Sequence, residues 1–564
     1  MVVVFYRCAS DTDGDTINSS NIGGSCMSEP KKFQSIWAGF TPKTVSVFRE
    51  GYSFERFAKD SIAGITVAAV AIPLSMAIAK ASGASPDRGL ITAIIGGFLI
   101  SLLGGSRFQI GGPAGAFIVV VASIIERQGF DGLLLATLMA GVFMMVMGAL
   151  RLGTYIRYIP HAVLVGFTAG IATIIFASQI VDLLGLTLNA REPAALLPKV
   201  QAIGHALATI NQQAVIVSLV SFILIVELRK LRPNLPAFLI AIGVSSIAVT
   251  LIGQWGGIHI ETIGSRFGGI PNSLPAPTLP LMSFDKMQAL VPDALTIAFL
   301  AAIESLLSAV VADGMTGRRH NSNMELVAQG IANFGTAIFG GICATGTIAR
   351  TATNVRAGGT SPVAGMVHSI VLLLLIIFAA PLASYIPLAS LAAILALVSW
   401  NMAEHHEFIA IIRRSKADAV ILLATFLLTI FRDLTEGIAA GVVLSSFIFM
   451  HRMTRIVSVS EKQELDTEPD REQSPDTLVY QIDGPFFFGV AAEIVAVFEQ
   501  IGHKPKRMIL DLSTMSFCDG TAARALKDIV QRFEHMGVRV TLRGARVSVS
   551  DVLLSAGIPT ELLS

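Results

Sequence analysis

Glu304 lies inside the apolar run from Leu295 to Ala312, and 46 residues further on Arg350 follows a break rich in Gly and Thr. A charge at the centre of a membrane-spanning helix costs roughly 2.5 to 3.5 kcal/mol on insertion scales, so such groups line protein cavities that handle ions or protons. A carboxyl and a guanidinium at this depth point to the movement of a small anion. The flanking sequence adds donors: Thr345-Gly346-Thr347-Ile348-Ala349-Arg350 opens one short helical segment, and Gln109-Ile110-Gly111-Gly112-Pro113-Ala114 opens another. If both start near the midplane, their N-termini face each other with free backbone N–H groups, each carrying roughly half a positive charge. With Arg350 the sum is about two positive charges, which suits a dianion when Glu304 is protonated. An ionised Glu304 would cancel part of that potential, so anion and proton are expected to move together. Sodium coupling is disfavoured, because Glu304 is the only carboxylate of its run before Asp313. Gly112 and Gly346 would let the backbone approach the ligand closely.

A structural reading competes for each residue. Glu304 and Arg350 could form a buried pair that joins two helices. Asp313, ahead of Gly314-Met315-Thr316-Gly317, fits a role in binding backbone or basic groups at a helix end, and His161 and His368 read as packing histidines.

The elements that must hold these groups are apolar spans. The chain has 564 residues, 53% hydrophobic and 14% charged, and many of its runs approach the roughly 20 residues that cross a bilayer as a helix. Candidate spans fall at 60–80, 89–104, 111–126, 131–150, 159–184, 213–228, 236–252, 293–312, 324–340, 347–357, 362–383, 387–402, 417–432 and 435–451. The third and tenth are short, and each follows a Gly-Gly pair, Gly104-Gly105 and Gly340-Gly341, at a shift of 236. Ala71-Ile72-Pro73 and Ala302-Ile303-Glu304 repeat at a shift of 231. Interrupted segments at matching places in two halves mark a transporter's site. Seven spans per half is odd, so the halves should be inverted relative to each other; a shift of 236 makes Ala114 the equivalent of Arg350.

Formal net charge is +1, which gives no reason to expect nucleic acid as a partner. Arg151 and Arg157, Arg229 to Arg232, Arg318 and Arg319, Arg413 to Lys416, and Arg452 and Arg455 mark alternate connections as cytoplasmic, which places both termini inside the cell membrane. Cys8, Cys26, Cys343 and Cys518 have no spacing that suggests a metal or a disulfide framework, so free thiols are expected. No nucleophile with a positioned base and no phosphate loop stands out, so neither an enzyme nor a cofactor is expected. Met1 to Cys26 is polar and unlike a signal peptide, and Met27 is an alternative start.

The divisions read as an N-terminal cytoplasmic segment at 1–55, a transmembrane domain at 56–453, a charged linker at 454–475 and a soluble α/β domain at 476–564. Strand signals at Thr477–Ile482, Arg507–Leu512 and Val538–Leu542 enclose a helical pattern at Gly520–Met536. Thr521, in the first turn of that helix, is a candidate regulatory phosphosite; Asp519 alone explains the pattern as an N-cap.

Several blocks are familiar: Asp60 to Gly83, Gly104 to Pro113, Ala302 to Gly317 and Ile348 to Pro362. Through them the chain resembles, after Lys32, the sulfate permease family of anion transporters, bacterial relatives of the animal solute carrier 26 proteins. The part from about Pro475 is similar to the sulfate transporter and anti-sigma factor antagonist (STAS) domain, with Asp519-Gly520-Thr521-Ala522 at its signature loop. Within the family the likeness points to the enterobacterial C4-dicarboxylate transporter. The resemblance implies an α-helical polytopic fold of seven plus seven inverted spans, with a core moving against a gate like an elevator, and a homodimer. It also implies a substrate site at Leu74, Ser75, Gly112, Pro113, Ala114, Ile348, Ala349, Arg350 and Thr351, with Glu304 as the proton-coupling group. Neutral, small residues at Leu74 and Ala114 leave extra volume, which favours C4-dicarboxylates such as succinate, fumarate or aspartate, with sulfate or bicarbonate as the alternative. A membrane-tethered anion sensor that signals through the STAS domain, to a cytoplasmic regulator, is the reading from another class.

Overall fold

The computed structural model describes residues 40–563 apart from 156–159, 189–191, 194, 233–234, 255–259, 281–282, 433, 462–476 and 500–504. Expectations that fall on Met1, Met27, Arg157 and most of the charged linker lie outside the described residues.

The first half begins with a short helix α1 (Lys43–Arg49), whose Thr44 hydroxyl donates to the Leu102 carbonyl at 2.8 Å. Helix α2 (Phe54–Ala81) follows, with the Ser53 hydroxyl accepting from the Arg56 N–H at its start. Helix α3 (Pro86–Ile91) runs through a π turn at Thr92–Gly96 into α4 (Gly97–Leu103). The chain then extends as β1 (Gly111–Gly112) and, after a tight turn at Gly115–Phe117, enters α5 (Ile118–Ala149). The spans expected at 111–126 and 131–150 are two helical stretches that break at Gly129, where φ is 73° and ψ −179°. A residue without Cβ takes that conformation at little steric cost. Then come α6 (His161–Leu184), α7 (Leu196–Ala206), α8 (Gln212–Leu231), α9 (Ala237–Gln254) and α10 (Ile263–Phe267). The short helices α1, α7 and α10 have no counterpart among the expected spans.

The second half repeats the plan. Helices α11 (Phe284–Thr316) and α12 (Ser322–Ile338) lead to β2 (Thr345–Gly346) and the short α13 (Ile348–Arg356). They are followed by α14 (Val363–Ala383), α15 (Leu388–Met402), α16 (His405–Arg414), α17 (Lys416–Phe431) and α18 (Leu434–Thr454). Among the described residues eight helices are long and apolar enough to cross a membrane.

Two groups of helices emerge from the packing. Helices α2 to α5 associate with α11 to α14, and α6, α8 and α9 associate with α15, α17 and α18. Small residues allow the close approach, as expected where lipid gives apolar surfaces no reason to associate. A Cβ on Gly141 of α5 would stand 2.6 Å from the Gly330 carbonyl of α12, and one on Gly64 of α2 would stand 2.5 Å from the Ala364 carbonyl of α14.

The halves cross at a two-stranded antiparallel ladder in which Gly111 faces Gly346 and Gly112 faces Thr345. Antiparallel pairing of corresponding segments is the geometry that inverted repeats require. The ladder maps onto itself when Gly111 corresponds to Thr345 and Gly112 to Gly346, a shift of 234 in both cases. This lies between the shifts of 231 and 236 read from the sequence.

After α18 the chain forms β3 (Ser458–Glu461), β4 (Thr477–Phe486), α19 (Phe488–Glu499), β5 (Arg507–Asp511), β6 (Met515–Cys518), α20 (Gly520–His535), β7 (Arg539–Arg543) and α21 (Val547–Ser555). The sheet order is β3-β4-β5-β7, with β6 also paired to β4; only β3 runs antiparallel to its neighbour. Its separate core includes Ile482, Phe486, Leu510, Leu526 and Leu542. Cys343 and Cys518 are buried free thiols, and burial, with the nearby Asp519 carboxylate, pushes the Cys518 thiol up to about 11.

Candidate anion-binding site

The site is built from the crossing outward. Ile110 accepts hydrogen bonds at its carbonyl from the Thr347 N–H at 3.1 Å and the Thr347 hydroxyl at 3.2 Å, which prolongs the ladder to the start of α13. Asn354 Nδ2 donates to the Phe108 carbonyl at 2.8 Å, and Asn333 exchanges two bonds with the backbone of Ala344. Polar side chains thus satisfy the backbone groups that the broken helices expose, a requirement for irregular backbone inside a membrane protein.

Neither broken helix takes a side-chain cap: Ala114 precedes the turn into α5 and Thr347 precedes α13, each without a capping bond. The first N–H groups of both therefore remain available, and helix N-termini of this kind attract anions. Ile348 and Ala349 are exposed, whereas Leu74 and Ala114 are buried. A Cβ on Gly115 would meet only Ile175 of α6 and Met402 of α15 within 4 Å, both in ordinary van der Waals contact. Residues of the second helix group thus approach the first turn after Ala114.

Arg350 is completely buried and tied to the first half of the chain. Its Nη2 donates to the Ser75 hydroxyl at 3.0 Å and the Pro113 carbonyl at 3.3 Å, and its Nη1 donates to the Gly111 carbonyl at 3.3 Å. A Cβ on Gly112 would collide with the guanidinium. Among the described residues Arg350 and Glu304 do not form an ion pair, so the competing view of the two as a buried structural pair is not what the geometry contains. Arg350 Nε and Glu304 Oε2 are both buried without a hydrogen-bond partner. Buried polar atoms are rarely left so, because the desolvation cost is then uncompensated.

The expected site residues therefore separate into two sets. Ile348 and Ala349 are exposed at the start of α13, Ala114 precedes the turn at Gly115, and Leu74 is buried within α2. Ser75, Gly112, Pro113 and Thr351 form the framework: Thr351 is fully buried, and its hydroxyl accepts from the Ile110 N–H at 3.2 Å and from the Ser308 hydroxyl at 3.0 Å. Ser75 and Pro113 hold the Arg350 guanidinium, and Thr351 holds the backbone of the crossing.

Sequence reasoning missed the polar network behind Glu304. Gln109 Nε2 donates to the Ser305 hydroxyl at 2.7 Å, and Ser305 donates to Glu325 Oε1 at 3.3 Å. Glu325 also accepts from the Gly105 N–H at 2.8 Å, the Ser106 N–H at 3.1 Å and Gln329. In the other half, Thr92 Oγ1 accepts from the Ile342 N–H at 2.8 Å, so each half caps the backbone break of the other. Asp60, the first residue of one of the familiar blocks, is a second such group. It is fully buried and accepts from Thr360, Ser361 and the Tyr52 hydroxyl, fixing the start of α2 to the turn before α14. The available signal was a carboxylate or amide surrounded by apolar and small residues. Asp313 follows its structural reading: His320 bonds it through Nδ1 at 2.6 Å and through its backbone N–H at 3.1 Å.

An inverted pair of broken helices that meet at a crossing, with a buried guanidinium behind them and a sheet domain after the last span, defines a multi-pass membrane transporter of anions. A profile described as "Sulfate permease family" matches residues 57–425, and one described as "STAS domain" matches 468–562. The chain belongs to the sulfate permease family. YvdB of Bacillus subtilis strain 168, provisionally named a sulfate transporter, is 41% identical over 90% of this chain and 95% of its own length. The bicarbonate transporter BicA of Synechocystis is 30% identical over 87% of this chain and 89% of its own length. Among solved structures, the transmembrane domain of a cyanobacterial BicA superposes with a TM-score of 0.62 at 32% identity, covering 68% of this chain and 98% of that one. The murine solute carrier 26 family member A9 anion transporter, in an inward-facing state, superposes with a TM-score of 0.82 at 20% identity, covering 95% of this chain and 93% of that one. These relatives are named for sulfate, bicarbonate or anions in general, and they do not carry the expected likeness to a C4-dicarboxylate transporter.

Proposed function

We propose that the protein is a secondary active transporter of a small oxyanion, sulfate or bicarbonate. The carrying observation is the pair of uncapped N-termini, at Ala114–Gly115 and Thr347–Ile348, brought together by the crossing with Arg350 behind it. The anion would lie against the N–H groups of Ile348, Ala349 and Gly115, and Arg350 would contribute its charge and Nε while its other nitrogens hold the crossing. A compact oxyanion suits this arrangement better than a C4-dicarboxylate, whose second carboxylate would want a second cation. The names of the relatives favour the same choice.

Glu304 Oε2, buried and unpartnered, is the group we assign to proton exchange, with anion and proton moving together. The helix group containing α2, α5, α11 and α13 would carry the anion past the other group in an elevator-like movement. The protein would work as a homodimer in the cell inner membrane with both termini and the STAS domain in the cytoplasm, where Thr521 and a regulator could act on it.

Flux into liposomes tests this reading. Labelled sulfate or bicarbonate should accumulate against its gradient when a pH difference is imposed, and Arg350→Ala should abolish accumulation. Accumulation of succinate in preference to both would restore the dicarboxylate reading. Binding of anion without flux would instead favour a sensor, and unchanged uptake by Glu304→Gln would remove proton exchange at that carboxyl.

A further inference from the structure

We propose that α16 is an interfacial helix that binds anionic phospholipid headgroups through Arg413, Arg414 and Lys416. The helix interrupts two apolar spans and is set off from both by abrupt corners. Glu404 takes a left-handed conformation, φ 43°, between α15 and α16, a costly choice for a residue with a side chain. Ser415 is extended, φ −147° and ψ 117°, between α16 and α17.

The sequence His405–Arg414 is amphipathic at helical spacing. Phe408, Ile409, Ile411 and Ile412 share one side, and His406, Glu407, Arg413 and Arg414 share the other. Only part of the apolar side has protein to cover it. Phe408 and Ile411 pack on Val163, Ile421 and Leu422, and Phe408 meets Phe426 edge-on at 5.3 Å. Ile409 and Ile412 remain 45% and 38% exposed, and Trp400, its ring tilted against that of His405 at 5.2 Å, is 59% exposed.

The position and charge of this surface identify the partner. Glu407 approaches His161 at the start of α6, and Arg452 near the end of α18 bonds Ser415 at 3.0 Å and Asp418 at 3.2 Å. The helix therefore sits at the end of the bundle from which the chain passes into the sheet domain. Arg452 engages Asp418, whereas Arg413, Arg414 and Lys416 are exposed and form no ion pair among the described residues. Apolar side chains and a tryptophan beside a surplus of cations match the boundary between acyl chains and anionic headgroups. The proposal thus commits to a lipid surface rather than to another protein.

Trp400 supplies the reporter. Trp37→Phe and Trp255→Phe leave it as the sole tryptophan of the full-length chain, which is then reconstituted with brominated phosphatidylglycerol or brominated phosphatidylcholine. At low salt the anionic lipid should quench Trp400 roughly threefold more strongly, and high salt should shrink the difference. Replacing Arg413, Arg414 and Lys416 by Gln should bring the two lipids to parity while leaving quenching by phosphatidylcholine in place, which shows that Trp400, beside His405 at the start of α16, still meets lipid. Equal quenching by both lipids before those replacements would overturn the anionic preference. Quenching by neither would show the face covered by protein, such as a second copy of this chain, and would overturn the proposal altogether.

Discussion

Lys80, at the end of α2, and Asp182, near the end of α6, form an ion pair across the seam between the two helix groups. Arg266 approaches the same carboxylate at 3.4 Å, and Lys199 bonds Glu192 at 2.9 Å in the same polar cavity of about 390 Å³. Removing one partner of a buried pair costs about 3 to 5 kcal/mol, because a charge is left uncompensated. Asp182→Leu, which strands Lys80 and leaves Arg266 to Glu261, should therefore lower the melting temperature more than Lys80→Met, which leaves Asp182 to Arg266. The double variant should recover much of the loss. Thermal melts of the solubilised protein check this order, and a double-variant loss equal to the sum of the two single losses would mean that the pair is not coupled.

Gly112 and Gly115 should respond differently to the same change. A Cβ on Gly112 meets the Arg350 guanidinium, whereas one on Gly115 makes only ordinary contacts with Ile175 and Met402, at 3.5 and 3.6 Å. Forcing Arg350 aside should make Gly112→Ala cost about 1 to 3 kcal/mol and remove anion-dependent stabilisation as Arg350→Ala does. Gly115→Ala should stay within about 0.5 kcal/mol, with anion binding kept. Melting with and without sulfate separates the two variants.

The spans were legible because a membrane helix announces itself by length and hydropathy, and because Gly-Gly pairs before short segments mark broken helices. The crossing at Gly111 and Gly346 was legible only as a break; its ladder pairs residues from opposite halves, and neither half alone specifies the register. Ser75 and Thr351 looked like ligand groups because they flank the motif. Their hydroxyls are engaged by Arg350 and by the Ile110 N–H, and sequence proximity cannot distinguish those uses. Glu325 and Asp60 were overlooked as working residues because the backbone groups they bind lie more than 200 residues away. In the sheet domain the alternation of β4, β5 and β7 was plain, but the short β3 and β6 were not.

The sheet domain should carry a pH-dependent stabilisation at Asp511. Burial pushes this carboxyl up, but hydrogen bonds from the Ser513 hydroxyl and N–H, and from Arg543 at 3.4 Å, outweigh burial and hold it below the usual carboxylate range. A group depressed on folding stabilises the native state fully above its unfolded value, about 4, and loses that contribution as pH falls through the depressed one. Asp511→Asn should therefore speed hydrogen exchange of the β5 and β7 amides by a constant factor from neutral pH down to about 4. The gap to the unaltered protein should then close in more acid solution. A gap that widens on acidification would contradict the assignment.

Asp519 holds two helices at once. Its Oδ1 accepts from the Ala522 N–H at 2.8 Å at the start of α20, and its Oδ2 accepts from the Phe488 N–H at 3.0 Å at the start of α19. Loss of a single N-cap costs about 1 kcal/mol, so Asp519→Ala should cost about 2 kcal/mol, and Asp519→Asn, which keeps one acceptor oxygen, should cost about half as much. Thr521 is exposed in the first turn of α20, and Thr521→Ala should change stability by less than about 0.5 kcal/mol. A phosphate at Thr521 would add negative charge at a helix N-terminus but would stand close to the Asp519 carboxylate, so the two effects oppose each other. Hydrogen exchange at the starts of α19 and α20 resolves the balance. Slower exchange in Thr521→Glu would mean that the helix end dominates, and faster exchange confined to Phe488 and Ala522 would mean that repulsion loosens the cap that Asp519 provides.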